Sequence, residues 1–324
     1  MKALVTGGNG FVATHLISQL LEKDANVSAT VRSDRSEKEL LGLFPQIQVF
    51  RADLTHADGW KEAVSGQDVI FHVASPLGGE NPNDPVLIDE AVSGVENVLL
   101  AAAHAGVKRI VMTSSQAAST PPAATAGEIT DDFWSDEKNP ELNAYRLSKL
   151  FAERKAWELA EKHGLALTTI LPGAVFGPVL TNHLSSNGLI AQMMNGSPSP
   201  KISLEITDVR DAAALHILAF ENPAAAVGQR FIAKNNDLTF LEVAEILKKA
   251  YPENSKIKTQ EVPNFVLKLL SHFRHDLRAL TPMLGRKYTH SNEMAKKLLG
   301  WQPRPSEETI CDAAQSLIDK GLVK

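Results

Sequence analysis

Two hydrophobic periods alternate along this chain. Short runs rich in β-branched residues recur at Ala3–Thr6, Val27–Val31, Ile47–Phe50, Val69–Val73, Arg109–Thr113 and Ala166–Leu171. Between them the spacing becomes helical. Phe11–Lys23 carries Val12, Leu16, Ile17, Leu20 and Leu21; Asp89–His104 carries Val92, Val95, Val98 and Leu99. Ala144–His163 carries Leu147, Phe151 and Leu159 among charged residues. This alternation predicts right-handed βαβ units around a parallel sheet. The strands are nearly unbroken apolar runs, as expected where helices cover both faces. The predicted class is therefore α/β, a doubly wound parallel sheet with helices on both faces.

The pattern changes after Pro172, where helices dominate. They are expected at Asp208–Glu221, Phe240–Ala250, Val262–His272, Ser291–Leu299 and Ser306–Lys320, with short strands at Leu204–Ile206 and Arg230–Ala233. A soft boundary is placed there. Residues 1–172 form the first unit, and 173–324 a smaller, mainly helical one with segments returning to the first sheet. The low-complexity stretch Pro121–Gly127 reads as a mobile loop.

Composition narrows the function classes. The chain has 324 residues, a formal net charge of -5 and 6% aromatic residues. A weakly acidic, aromatic-poor protein is not expected to take nucleic acid or an anionic membrane as its main partner. Cys311 is the only cysteine, which fits a reducing compartment. No secretory h-region and no apolar run of about 18 residues is found. The expectation is a soluble cytoplasmic protein. His272 and His275 share a helix face without a further ligand nearby, so no metal site is expected.

The first strand runs into Thr6-Gly7-Gly8-Asn9-Gly10-Phe11-Val12-Ala13, which opens the first helix. Both Gly8-x-Gly10-x-x-Ala13 and Gly7-x-x-Gly10-x-x-Ala13 fit. Glycines allow a tight turn and close approach of a pyrophosphate, and the helix N-terminus favours its charge. That context predicts a dinucleotide site and a Rossmann-type sheet. The second strand ends on Arg32, with Arg35 and Lys38 close behind. A guanidinium there accommodates a ribose 2′-phosphate, whereas a carboxylate would bond a 2′-hydroxyl, so NADP(H) is expected over NAD(H). The alternative is a solvated charged loop. Asp53, after the third strand, is placed to bond the adenine amine or to cap a helix.

The fifth strand leads into Thr113-Ser114-Ser115-Gln116, at the strand end where open α/β sheets place ligands. Further along, Tyr145 and Lys149 stand four residues apart on a helix, so both point to one face. Hydride transfer to a carbonyl leaves an alkoxide that needs a proton. A tyrosine with a neighbouring ammonium can supply it, and a serine can hold the oxygen. Tyr251 and Tyr288 have Ser255 and Asn292 at the same spacing and do not compete.

These residues resemble the extended short-chain dehydrogenase/reductase superfamily, and within it the dihydroflavonol reductase, cinnamoyl-CoA reductase and aldehyde (methylglyoxal) reductase group. The resemblance is carried by residues 6–13, Thr-Val-Arg at 30–32, Ala-Asp-Leu at 52–54, Phe-His-Val-Ala-Ser-Pro at 71–76, Thr-Ser-Ser at 113–115 and Tyr-x-x-x-Lys at 145–149. Leu-Pro-Gly-Ala-Val-Phe-Gly-Pro at 171–178 and Thr-Asp-Val-Arg-Asp at 207–211 continue it. It implies Ser115 as catalytic serine, Tyr145 as proton donor, and Lys149 as partner of Tyr145 and of the nicotinamide ribose. It implies a cofactor site including Thr6, Gly7, Gly10, Phe11, Val12, Leu54, Ala74 and Thr113, capped at the nicotinamide by Pro172, Gly173, Ala174 and Val175. Ala13 replaces the commoner third glycine. Gln116 stands where plant members tend to have alanine, which sets plant-like substrate recognition in question.

The substrate side is read from the same strand ends. Ser75, Pro76 and Leu77 follow the fourth strand, and Gln116, Phe176 and His183 are candidate walls. Phe133, Trp134, Met193 and Met194 are further candidates, and ordinary core packing is the competing reading for all of these walls. An apolar pocket suits aryl, alkyl or keto-ester carbonyl compounds. Three functions compete: an NADPH-dependent carbonyl reductase, an NAD-dependent nucleotide-sugar epimerase or dehydratase, and a non-enzymatic NADP sensor. The expected partner is a small carbonyl molecule, and the chain is a monomer or a homodimer.

Overall fold

The computed structural model describes residues 1–76, 81–181, 183–263, 265 and 284–323. Strand and helix alternate through β1 (Lys2–Val5), α1 (Phe11–Glu22), β2 (Asn26–Val31), α2 (Asp34–Leu43), β3 (Gln48–Arg51), α3 (Trp60–Val64), β4 (Val69–His72), α4 (Val86–His104) and β5 (Arg109–Thr113). A 3-10 turn over Gln116–Ser119 leads to β6 (Ala126–Ile129), α5 (Ala144–His163), β7 (Ala166–Pro172) and β8 (Ala174–Phe176). Then come α6 (Asn187–Met194), β9 (Ser199–Pro200), β10 (Ser203–Asp208), α7 (Val209–Glu221), α8 (Pro223–Ala226), β11 (Arg230–Ala233) and β12 (Asn236–Thr239). The chain ends with α9 (Phe240–Ala250), β13 (Glu261–Val262), β14 (Lys287–His290), α10 (Glu293–Leu299) and α11 (Ser306–Asp319).

Seven strands form one parallel Rossmann-type sheet in the order β3-β2-β1-β4-β5-β7-β11. Strand order reverses between β1 and β4, which opens a crevice at their carboxyl ends. β11 comes from beyond residue 172 and pairs with β7, from Arg230 opposite Thr169 to Ala233 opposite Pro172. One apolar cluster joins α1 and α7 to one sheet face, and a second joins α3, α4 and α5 to the other. A third lies among Phe176, Ile206, Phe240 and Ile310 in the later part of the chain.

Local signals account for the helix ends. The Asn143 side chain accepts from the Arg146 N–H at 2.9 Å to start α5, and Gly164, at φ +62, ends it. α2 is charged, with Leu40 alone buried, so periodicity did not reveal it; Ser33 caps it through the Ser36 N–H at 3.2 Å.

Two expectations need correction or placement. Ala126 and Gly127, read as part of a mobile loop, belong to β6 and pair with Lys287 and Tyr288 of β14. A partner about 160 residues away leaves no trace in local composition. Of the expected helix 262–272, Val262 is in β13, and 264 and 266–272 lie outside the described residues, as does His275. Among the described residues no helix is long and apolar enough to cross a membrane, and no group of three or more His, Cys, Asp or Glu is placed to hold a metal.

Candidate active site

A cavity of about 780 Å³ opens at the carboxyl ends of the central strands. Gly7 and Gly10 form one wall, with Phe11 and Val12 behind them. The turn is pinned to β2 by Gly7 N–H to Thr30 Oγ1 at 3.0 Å and Gly8 N–H to the Thr30 carbonyl at 2.8 Å. Gly7 sits at φ +65, and a Cβ there would come 3.0 Å from Ala74 Cβ, so glycine lets the turn approach the end of β4. Gly8 faces inward: a Cβ would lie 2.7 Å from both Ala29 Cβ and Leu40 Cδ2. Gly7 and Gly10 thus serve the cavity, and Gly8 serves packing. Gly8→Ala is therefore expected to cost about 1–3 kcal/mol by overpacking. A thermal melt checks this, and an unchanged Tm would refute the packing role.

Thr6 is sealed from solvent. Its hydroxyl oxygen accepts from Val73 and Ala74 N–H at 3.0 and 2.9 Å and donates to His72 Nδ1 at 3.0 Å. It shapes the wall without lying on it. Burial, with Lys149 nearby, pushes His72 down to about 4, so the imidazole is neutral.

Arg32 lies exposed at one end of the cavity, beside Thr30 and Ser36. Two acids of α2 are engaged elsewhere: Arg51 pairs with Asp34 and, at 2.6 Å, with Glu37. Arg32 forms no ion pair among the described residues. Arg35 and Lys38 are exposed on α2 and are not on the wall. Asp53 and Leu54 line the same end. Burial raises the Asp53 carboxyl, but hydrogen bonds from the Thr55 N–H and hydroxyl, with Arg32 and His56 nearby, outweigh it and hold it below the usual range.

The other end gathers Ser75, Pro76, Thr113, Ser114, Ser115, Tyr145, Lys149, Pro172, Gly173 and Val175. Ser115 and Tyr145 line this wall together, and Ser115 Oγ accepts from the Ala117 N–H at 3.1 Å. Burial pushes the phenol above its ordinary value, while Ser115 and Arg146 oppose the rise. Lys149 Nζ donates to Ser75 Oγ at 2.6 Å and stands 5.5 Å from the Tyr145 ring centre. Burial pushes Lys149 down to about 8. The Thr113 hydroxyl is turned to His216 Nε2 at 2.7 Å.

Other expected residues fall elsewhere. Phe176 is 1% exposed in the core, so it is not a substrate wall. Met193 and Met194 are buried in the same cluster. Gln116 is buried, off the wall, with Nε2 unpartnered among the described residues. Ala174 is on β8 but not on the wall, and neither are Phe133 and Trp134. His183 is on the wall and meets Asn9 Nδ2 through Nε2 at 3.0 Å. Leu77 lies outside the described residues. Asn9, Trp60, Asp84, Leu87, Glu90, Leu184, Ser185 and Ser186 line the cavity and were not foreseen. Except for Asn9, inside the glycine turn, no sequence signal marked them.

The chain matches the NAD dependent epimerase/dehydratase family over residues 3–233. It belongs to that family. It is 33% identical to cinnamoyl-CoA reductase 1 from Petunia hybrida, over 98% of this chain and 92% of that protein. It is 32% identical to an anthocyanidin reductase from Vitis vinifera, over 78% of this chain and 81% of the relative. Among solved structures, yeast methylglyoxal/isovaleraldehyde reductase complexed with NADPH superposes with a TM-score of 0.83 at 26% identity, covering 100% of both chains. These are members of the reductase group that the motifs resemble. In this member of the family, Ala13 takes the third-glycine position and is fully buried against the first apolar cluster.

Proposed function

We propose that the chain is an NADPH-dependent carbonyl reductase acting on aldehydes or ketones of aryl, alkyl or keto-ester type. The observation that carries this reading is the gathering of Ser115, Tyr145 and Lys149 in one cavity with the glycine turn, Lys149 Nζ lying 5.5 Å from the Tyr145 ring centre. The close approach of Gly7 to Ala74 and an Arg32 with no ion pair among the described residues suit a dinucleotide with a 2′-phosphate. The reductase relatives and the NADPH complex of the yeast neighbour support the same cofactor.

Bound there, NADPH supplies a hydride to the carbonyl carbon. Ser115 donates a hydrogen bond to the carbonyl oxygen, and Tyr145 Oη gives its proton to the forming alkoxide. A phenol raised by burial stays protonated at neutral pH, as a donor must. The Lys149 ammonium stabilises the phenolate left behind. In this division of labour, residues 1–172 hold cofactor and proton donor, and 173–324 shape the substrate end.

The test is to mix protein and NADPH with a panel of aldehydes, ketones and keto-esters and follow absorbance of the reduced cofactor. Consumption with some carbonyls is expected, and no turnover on any would overturn the reading. Tightly held NAD in the purified protein would instead favour an epimerase. A pH effect follows from Lys149. Its pKa is depressed to about 8, so the ammonium is present below that value and lost above it. Carbonyl kcat/KM is expected to fall about tenfold as pH rises from 7 to 9. A flat profile across that range would remove Lys149 from the proton-transfer group.

A further inference from the structure

Behind the two strand-end serines lies a buried carboxylate that the proposed chemistry does not use. Glu153 follows Tyr145 and Lys149 by further steps of four along α5, so the three share one side of the helix. It is fully buried. Its Oε2 accepts from Ser114 Oγ at 2.6 Å and from Arg230 Nη2 at 3.1 Å. Its Oε1 accepts from Thr169 Oγ1 at 2.7 Å and Arg230 Nε at 2.8 Å. Ser114 directly follows β5, Thr169 is on β7 and Arg230 on β11, so one side chain ties the helix carrying Tyr145 to two strands and the end of a third.

The network continues outward. Arg230 Nη1 donates to the carbonyls of Asp131 and Phe133 at 2.9 and 2.6 Å, and its guanidinium lies 3.7 Å from the Trp134 ring centre. Asp131 in turn accepts from the Ile232 N–H at 2.7 Å. Every charge in this buried pair is therefore matched, as low-dielectric surroundings demand.

Adjacent residues on an extended backbone point to opposite sides, and Ser115 is extended at φ -164 and ψ 152. With Ser114 Oγ drawn toward Glu153, Ser115 is turned the other way; its Oγ accepts from the Ala117 N–H at 3.1 Å, and it lines the cavity with Tyr145. We infer that Glu153 is a positioning residue: through Ser114 it sets the placement of the Ser115 hydroxyl against the Tyr145 hydroxyl. The inference rests on the reading of Ser115 and Tyr145 as the proton-transfer pair. A misplacement near 1 Å can lower a rate by about 10²-fold, so the anchor need move the strand end only slightly.

Four variants test it, each measured for kcat, KM, NADPH Kd and Tm. Ser114→Ala removes one hydrogen bond and keeps the Glu153–Arg230 pair. It is expected to lower kcat about tenfold or more, with carbonyl KM and NADPH Kd within twofold of the parent. Ser114→Thr keeps a hydroxyl and is expected to recover most of that loss. Glu153→Gln, and the double variant with Ser114→Ala, are expected to match the kcat of Ser114→Ala alone, because both act through one contact. Parental kcat in Ser114→Ala, or equal weakening of kcat and NADPH binding, would overturn the positioning role. Tyr145→Phe separates the two ideas. If it is inactive and Ser114→Ala is fully active, only the positioning role fails; if it turns over normally, the underlying proton-transfer reading fails.

Discussion

Tyr145→Phe is expected to lower kcat by about 10²–10⁴-fold, the range that general acid catalysis supplies, while NADPH still binds. The substitution removes one oxygen and keeps the ring, so the packing of α5 is retained. Its N–H still donates to the Pro82 carbonyl at 2.9 Å. Ser115 remains on the cavity wall, and Lys149 keeps its bond to Ser75. The glycine turn and Arg32 are untouched, so NADPH affinity should change by no more than a few-fold. Single-turnover rates and a fluorescence titration of NADPH separate the two effects. A kcat within fivefold of the parent would remove Tyr145 from the chemical step.

The second large effect concerns cofactor choice. Arg32→Asp is expected to reduce kcat/KM for NADPH by about 10²-fold or more relative to NADH. A hydrogen bond to a charged group contributes about 1.5–3 kcal/mol, and the new carboxylate adds repulsion toward a 2′-phosphate. The same carboxylate can accept from a ribose 2′-hydroxyl, which favours NADH. Arg32 can be read this directly because Arg51 engages the nearby acids Asp34 and Glu37. Arg35 and Lys38 stand exposed off the wall and do not replace it. Side-by-side kinetics with both cofactors decide the matter, and an unchanged NADPH/NADH ratio would refute the assignment of Arg32 to the 2′-phosphate.

The first half of the fold was legible because its elements are set locally. Ala144–His163 was read with the bounds found, from helical spacing among charged residues. Arg109–Thr113 was likewise read from an apolar run buried on both faces. α2 escaped because a surface helix with one buried residue carries almost no period. β6 and β14 escaped because each is short and finds its partner far along the chain.

The candidate site divides in the same way. Sequence alone determined the chemical groups: the glycine turn, Arg32, the strand-end serines, and Tyr145 with Lys149 one helical turn apart. Those are local spacings, and backbone geometry turns them into directions. Tertiary structure decided which of these groups meet. It set Gly8 into packing and Gly7 against Ala74, sent Phe176 to the core, and brought Asp84, Leu87, Glu90 and residues 183–186 onto the cavity wall. It also made Ser114 and Ser115 different, one bonded to the buried Glu153 and the other on the cavity wall with its Oγ bonded to the Ala117 N–H. The physical reason is that contacts between distant segments depend on how β5, β7, β11 and α5 pack together, and no local spacing encodes that packing.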